Sequence, residues 1–499
     1  MCTRTHSKSS KSITKGASKS HNSTPYKNRS QNLNTDVNKN RSFSGLLSER
    51  KKEAEYIARE DLEHNANVPQ IARPRRPATA KVSRSAADYA CERLEEYIAS
   101  IDNQSGINKN KRGSKHDDEY PDSFQSLIDL VKPHPNGDDG DPEQRKLAFK
   151  REPEMYPSIA ALLRLIDKEL VKYSENSSKA PQHIKPNRQI QVFEKYDVNP
   201  EQMDTDRKID MALYLSKDGE QITGAKPDYE YIFAVVEAKI SSIDSEQFKA
   251  YKQLIAYSYD IYTRQINRRF AWGFTVCSTL FRACVLSNDK VYSSENMDVS
   301  TKEGRAALVQ LLADITYCSD DQLGYDPTIY FDEDKSWKVQ VFQDDNLETF
   351  RICKVMKSAS SIFGRHTRCF RCCRIDDEKD NDDDKYFIVK DAWAFTDRTQ
   401  DSEQGLRDEI ELMKSVNKAL ENREQLRNKY PTLICGGVVQ ISDGNGECFD
   451  DTEDTALAAL NIDGTDENHS GSYRVHKRMA LRPIGQHIST VKSVDELIV

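Results

Sequence analysis

The sequence lacks an apolar run long enough to cross a membrane. Its most apolar window, residues 271–287, is interrupted by Arg282 and is shorter than the ~20 residues that a membrane helix needs. No apolar stretch follows Met1, so the pattern of a secretory signal peptide is also missing. We therefore expect an intracellular protein with no membrane partner, and the sequence does not distinguish cytoplasm from nucleus.

Apolar residues are scarce and charged residues are abundant. The chain is 37% apolar and 31% charged, whereas globular domains are roughly 45–50% apolar and about 25% charged. Residues 1–50 contain ten Lys and Arg against two Asp and Glu, and the rest of the chain carries a net charge of −16. This pattern predicts a disordered basic segment over residues 1–85 that could contact nucleic acid or another acidic partner.

The sequence also lacks a second Cys or His pair at zinc-finger spacing. Cys369, Cys372 and Cys373 form a single C-x-x-C-C group, whereas a structural zinc site needs four ligands. The 11 cysteines are scattered along 499 residues, which predicts reduced thiols rather than a disulfide scaffold. For His476 and His487 we find no nucleophile partner, so we expect surface or hydrogen-bonded histidines.

Hydrophobic periodicity divides the remaining chain into three segments. Residues 86–150 read as a helical segment and linker, with apolar residues at helical spacing over 86–101. Residues 151–345 alternate helices and strands, which predicts a mixed α/β domain. Residues 346–499 contain strand-like runs interrupted by one helix over 401–426, which predicts an antiparallel sheet plus one helix.

The α/β segment places three charged residues on neighbouring predicted strands. Asp210 lies in KIDMALYL, and Glu237 and Lys239 lie in AVVEAKI, where alternation puts both side chains on one face. Two carboxylates there could hold Mg²⁺, and the lysine could orient or deprotonate a water. Glu169, on the preceding helix, could add a carboxylate. The alternative is a strand that simply emerges into solvent with an exposed ion pair.

The order of these elements resembles the PD-(D/E)xK nuclease-like core. A helix over 157–172, the Asp strand and the Glu-x-Lys strand are followed by a helix that carries Gln253 and Tyr257 at i, i+4. This resemblance implies a Mg²⁺-dependent nuclease in which Asp210 and Glu237 are metal ligands and Lys239 is catalytic. It adds a second possible route to nucleic acid.

The last segment contains some of the residues that a kinase needs, namely a strand lysine followed by a helix glutamate. Lys390 lies in the apolar strand YFIVKDAW, and Glu409 follows nineteen residues later on a predicted helix. In kinases such a lysine holds the α- and β-phosphates of ATP and the glutamate holds the lysine. Gly364, at a turn between strands just upstream, is a poor version of the phosphate-covering loop, which normally carries three glycines. A purely structural salt bridge is the alternative interpretation.

The series RKIDMALYL, VVEAKI, RRFAWGFTVCSTLFRACVLS, FGRHTRC, YFIVKDAW, DEIELMKSV and RVHKRMALRPIGQHI resembles the fungal-type protein kinase family. In that family a nuclease-like region leads into a kinase-like small lobe, and the resemblance covers about residues 155–499. It implies ATP-dependent phosphorylation of protein Ser or Thr, with ATP and Mg²⁺ as cofactors. By the same resemblance Lys390 is the ATP-anchoring lysine and Glu409 its partner.

Two motifs of a complete kinase are not found after Lys390. Phosphoryl transfer needs an Asp in an HRD-like loop and an Asp in a DFG-like turn, and we find neither in residues 390–499. We therefore expect a truncated family member that does not transfer phosphate. The alternatives are a Mg²⁺-dependent nuclease and a non-enzymatic scaffold or interaction protein. The sequence identifies neither a protein substrate nor a partner.

Overall fold

The computed structural model describes part of the chain, and the structural statements below concern those residues. They are residues 79–107, 130, 151–176, 189–194, 209–216, 231–343, 346–358, 363–375, 385–397, 409–427, 430–442, 447–450, 452 and 472–483. Most of the segment that we predict to be disordered lies outside them. Residues 79–85, which we had included in that segment, instead form the start of the first helix.

The helices follow the apolar periodicity of the sequence. They are α1 Thr79–Ile107, α2 Tyr156–Asn176, α3 Asp244–Arg264, α4 Lys302–Tyr317, α5 Glu409–Leu420 and α6 Glu424–Arg427, with a 3-10 turn, Glu152–Glu154, just before α2. The predicted apolar face of α2 is buried, from Ile159 to Leu170. Thr301 caps α4, because its side chain accepts a hydrogen bond from the amide of Gly304 at 3.0 Å.

The strands form two large sheets and a small hairpin. They are β1 Gln189–Glu194, β2 Met211–Ser216, β3 Ala234–Lys239, β4 Ala271–Cys277, β5 Leu280–Leu286, β6 Val291–Ser293, β7 Met297–Asp298, β8 Ile329–Phe331, β9 Trp337–Gln343, β10 Asn346–Lys357, β11 Arg368–Arg374, β12 Tyr386–Asp397, β13 Thr432–Val438, β14 Gln440–Ser442, β15 Glu447–Phe449 and β16 Ser472–Arg482.

The first sheet, called sheet I, has the order β1-β2-β3-β4-β5-β6, with β7 also paired to β5. Only β3 and β4 are parallel within it, and α3 is the crossover that joins them. One face packs against α1, α2 and α4, and the other packs against α3. Since β3 is covered on both faces, it is an apolar run, and its charged residues Glu237 and Lys239 are exceptions.

The second sheet, called sheet II, is antiparallel throughout and has the order β13-β16-β12-β11-β10-β9-β8. Helix α5 packs on one face through Ile410, which joins a small apolar cluster with Leu433 and Met479. Strands β8 and β9 belong to this sheet, so the boundary that we predicted at 345/346 falls between two paired strands. Strand β8 has only three residues and is followed by a charged turn, so it is too short to show the alternation that identifies a strand.

The fold class agrees with the mixed α/β prediction, with differences in detail. One of the strand-like runs of the last segment, residues 435–441, is divided between β13 and β14, and β14 pairs with β15 outside sheet II. The described part of the predicted helix over 401–426 is divided between α5 and α6. None of the helices in the described ranges is long and apolar enough to span a bilayer.

Candidate functional site

Lys390 and Glu409 are in contact. Strand β12 carries Lys390 on the face that α5 covers, and the Lys390 ammonium donates a hydrogen bond to Oε1 of Glu409, the first residue of α5. The other carboxylate oxygen, Oε2, accepts a hydrogen bond of 2.5 Å from Arg365. The lysine side chain is 21% exposed, so a ligand can reach it from solvent.

The two cations hold Glu409 in its charged form. Burial alone would raise the pKa of Glu409, but the hydrogen bonds from Lys390 and Arg365 outweigh burial and lower that pKa. The carboxylate is therefore ionised at neutral pH and neutralises part of the positive charge. Because both side chains of the pair are partly exposed to water, a ligand anion could exchange with it at modest desolvation cost.

Gly364 lies in the connection between β10 and β11, as expected, but its amide is occupied. The glycine has a positive φ of 126°, which favours a residue without a side chain. Its amide donates a hydrogen bond of 2.9 Å to the carbonyl of Asn288, a buried residue that follows β5 in sheet I. In this arrangement the Gly364 amide faces the α/β unit and not a phosphate.

The residue after Lys390 is Asp391, whose fully buried carboxylate lies on the other face of sheet II. Asp391 accepts a hydrogen bond at Oδ1 from Nε of Arg478 at 2.9 Å, and Oδ1 also lies 2.7 Å from Nε2 of His476. The other ring nitrogen of His476, Nδ1, lies 2.8 Å from Oδ2 of Asp450. The imidazole stacks on Trp393 with 4.4 Å between ring centroids. This confirms the expectation that His476 is a hydrogen-bonded histidine.

The same cluster ties sheet II to the α/β unit. Arg478 also donates to Oδ2 of Asp326 at 2.7 Å, and Asp326 lies in the segment between the two sheets. Arg269, which precedes β4, donates to Oδ1 of Asp450 at 2.7 Å. The buried charges thus alternate in sign across the contact between the units. We call this set the buried ion cluster: Arg269, Asp326, Arg368, Asp391, Asp450, His476 and Arg478.

Opposite charges fix the ionisation states of this cluster. Burial alone would lower the pKa of His476, but Asp391 and Asp450 outweigh burial and raise that pKa to about 9. Burial alone would raise the pKa of Asp391, but His476 and Arg478 outweigh burial and hold that pKa well below its ordinary value. The imidazole is therefore protonated at neutral pH. The ligand atoms of Asp326, Asp391 and His476 lie within 4.8 Å of one another, as in a metal site, but the arginines already supply the positive charge there.

Sequence analysis did not find this cluster. Its members are separated by up to 209 residues, and each sits in an ordinary polar or strand context. A buried charge within a strand is costly without a partner, so Asp391 beside Lys390 in YFIVKDAW was the available signal. Side-chain alternation puts Lys390 and Asp391 on opposite faces of β12, so Asp391 needs a partner on the face that α5 does not cover.

The predicted nuclease-like residues are also brought together. Lys239 Nζ donates to Oε1 of Glu237 at 2.7 Å, and the amide of Ala238 donates to Oδ2 of Asp210 at 2.9 Å. The hydroxyl of Tyr156, the first residue of α2, donates to the other Asp210 oxygen at 2.5 Å. Glu237 is 1% exposed, which excludes the alternative in which the strand simply emerges into solvent.

Burial and charge repulsion perturb this second site. The pKa of Glu237 is raised to about 8, chiefly by burial and then by the neighbouring Asp210. Its Oε2 atom is buried and has no hydrogen-bond partner among the residues that the structure describes. The additional carboxylate near Lys239 belongs to Glu152, whose Oε2 lies 3.4 Å from the ammonium. Glu169, which we had suggested for this role, instead pairs with Lys172 in a groove between α1 and α2.

The helix residues of the Gln-xxx-Tyr pattern differ in their surroundings. Tyr257 is buried against sheet I, whereas the side chain of Gln253 is exposed on α3. The structure therefore gathers Asp210, Glu237 and Lys239 without showing Gln253 among their hydrogen-bond partners. The carboxylate pair lies at the C-terminal end of β3, where ligands commonly bind in sheets that contain parallel strands.

Comparison with protein families identifies a match over residues 208–499, to the family described as fungal protein kinase. This match covers more than half of the chain. The chain belongs to the fungal protein kinase family. Comparisons with curated proteins and with solved structures gave no match. The fungal protein kinase match begins just before Asp210 and spans both the carboxylate site of sheet I and the Lys390–Glu409 pair of sheet II.

Proposed function

We propose that sheet II and α5 form the small lobe of a protein kinase, which binds a nucleotide through Lys390. The ion pair between Lys390 and Glu409 carries this proposal, because a strand lysine held by a helix glutamate anchors ATP phosphates in kinases. Counted from β10, Lys390 lies on the third antiparallel strand, and Glu409 begins the next described helix. That is the order expected of a kinase small lobe.

The nucleotide would be ATP with Mg²⁺. Lys390 would contact the α- and β-phosphates, and Glu409 would keep the ammonium in place. Arg365, 54% exposed, adds a second cation next to the same carboxylate. Phosphoryl transfer needs two further aspartates, in HRD-like and DFG-like segments, and residues 390–499 contain neither segment. The proposal is therefore limited to nucleotide binding.

Replacing Lys390 with methionine is expected to abolish stabilisation by ATP. A ligand at one hundred times its dissociation constant stabilises the folded state by about 2.7 kcal/mol, so ATP with Mg²⁺ should raise the melting temperature of the unmodified protein. The exposed Lys354 of β10 supplies the matched control, Lys354→Met. Differential scanning fluorimetry with and without nucleotide measures the ATP-induced rise in melting temperature for the unmodified protein and for both variants. An equal ATP-induced rise in Lys390→Met, or none in the unmodified protein at millimolar ATP, would exclude the proposed site.

A Mg²⁺-dependent nuclease site in sheet I is the second candidate function. The unpartnered, buried Oε2 atom of Glu237 beside Asp210 favours it, since a divalent cation would supply the missing partner. Asp210 and Glu237 would hold the ion, which would stabilise charge on a phosphodiester. Lys239 would orient the attacking water, and Glu152 is placed to accept a proton from that lysine or water.

Metal-dependent cleavage of DNA or RNA is expected to require both carboxylates. Asp210→Asn and Glu237→Gln should each reduce cleavage by about 100-fold or more, because each removes a charge from the metal site. Asp244, exposed at the start of α3, gives the control Asp244→Asn, which should cleave normally. Cleavage that survives both substitutions would point to a contaminant. If neither ATP binding nor cleavage is found, the scaffold alternative stands.

A further inference from the structure

Two cysteines on neighbouring strands of sheet II have their sulfur atoms in contact. Cys353 lies on β10 and Cys373 lies on β11, and the distance between the two Sγ atoms is 3.3 Å. The pairing register shifts between Ile352 and Lys354, so Cys353 occupies a bulge. The bulge directs its side chain toward a strand position that is not directly opposite. Neither of the candidate sites described above uses these thiols.

The surroundings of the pair favour reaction between these two thiols. Cys353 is exposed, whereas Cys373 is buried. The sulfur of Cys373 accepts hydrogen bonds from Nε of Arg351, at 3.3 Å, and from the Cys353 thiol. The adjacent Cys372 is buried in the apolar core of sheet II and donates to the carbonyl of Phe370 instead. The geometry thus selects one partner for Cys353.

We propose that Cys353 and Cys373 are a modification site at which a hydroperoxide produces a reversible cross-strand disulfide. Cys353, accessible to solvent, attacks one peroxide oxygen; an S–O bond forms, the O–O bond breaks, and the second oxygen leaves as water or an alcohol. The Cys373 sulfur then attacks the Cys353 sulfur, so that an S–S bond forms and the S–O bond breaks. Water leaves with the Cys373 proton. Two thiols are oxidised and one hydroperoxide is reduced.

Little movement is needed for the second step. A disulfide bond is about 2.05 Å long, so the two sulfur atoms must approach by roughly 1.2 Å. A bulged residue at a strand edge can make such a shift by side-chain rotation. Intracellular disulfides are usually transient and redox-sensing, and a thiol reductant should restore both cysteines.

The pH dependence of the first step follows from the thiolate requirement. Burial and the hydrogen bond to Cys373 raise the pKa of Cys353, while Arg351 and Arg371 partly oppose this rise. The thiolate fraction is therefore small at neutral pH. We expect the rate of disulfide formation to increase roughly tenfold for each pH unit in the neutral range, in proportion to the thiolate.

Peptide mapping after peroxide treatment tests the site in the 499-residue protein. The reduced protein is exposed to hydrogen peroxide, quenched with an alkylating reagent, digested with trypsin and analysed without reduction. The expected product joins the peptides 352–354 and 372–374, with a mass two hydrogens below their sum plus one alkyl group on Cys372, and dithiothreitol removes it. Cys372→Ser should retain the product, which assigns the link to Cys373 rather than to its neighbour.

Two further variants make the outcome decisive. Cys353→Ser, an exposed position where misfolding is not expected, should abolish the linked peptide, and Cys369→Ser on the same strand should leave it unchanged. A melting curve for each variant verifies the fold. The proposal is overturned if Cys353 links mainly to Cys369 or Cys372, or if it proceeds to sulfinic acid without any link. A link that persists in Cys353→Ser would overturn it equally.

Discussion

Replacing Arg478 with methionine is expected to lower the free energy of unfolding by about 3–5 kcal/mol, the usual cost of breaking a buried ion pair from one side. The guanidinium is fully buried and donates to Asp391, Asp326, Thr328 and the carbonyl of Gln340. Methionine fills similar space but removes the arginine partner of Asp326 and one of the two main partners of Asp391. Urea denaturation followed by circular dichroism measures the loss.

An exposed arginine of the same sheet provides the comparison. Arg374 is 58% exposed and lies 3.9 Å from a carboxylate oxygen of Glu348. Exposed pairs of this kind contribute about 0–1 kcal/mol, so Arg374→Met should change stability little. If the two substitutions cost the same, the buried ion cluster would not be what holds sheet II against the α/β unit.

Stability is expected to fall between about pH 6.5 and pH 9 because of His476. The folded-state pKa is about 9 and the ordinary value is 6.5, so the folded protein binds this proton more tightly than the unfolded chain does. The contribution is complete below pH 6.5 and is lost as the pH rises through 9. A shift of this size corresponds to about 3 kcal/mol. Urea denaturation midpoints across this pH range measure it.

The variant His476→Gln isolates this effect. Glutamine keeps hydrogen-bonding capacity but does not titrate, so the difference between the two stability curves reports on His476 alone. Glu237 and Asp167, whose raised pKa values also make stability fall as pH rises, are present in both proteins and cancel. Parallel curves for the two proteins over pH 6.5–9 would show that the imidazole is not held protonated by its two carboxylates.

The buried ion cluster and the Lys390–Glu409 pair share strand β12. Lys390 contacts Glu409 on one face, and the next residue, Asp391, contacts Arg478 and His476 on the other. Two consecutive residues before β11 make a similar connection. The amide of Gly364 bonds to Asn288 of the α/β unit, and the side chain of Arg365 bonds to Glu409. The α/β unit therefore contacts sheet II next to the residues that form the Lys390–Glu409 pair.

Local pattern in the sequence determined the elements and the pairs close to them. The spacing of apolar residues predicted α2, and alternation placed Glu237 and Lys239 on one face, where they are bonded. The strand lysine and the helix glutamate were recognisable because each belongs to an element with a clear period. The fungal protein kinase family, suggested by the order of these motifs, is the family that the comparison shows.

Tertiary structure alone decided the contacts between distant segments. Asp326 and Arg478 are 152 residues apart, and Glu152 is 87 residues from Lys239. A linear pattern records which face a side chain occupies, but not which distant charge meets it there. Burial then determines the ionisation states of these groups. The low dielectric of the interior strengthens the attraction between opposite charges and makes an unpaired charge costly. For that reason His476, an ordinary histidine in the sequence, is a cation at neutral pH between two carboxylates.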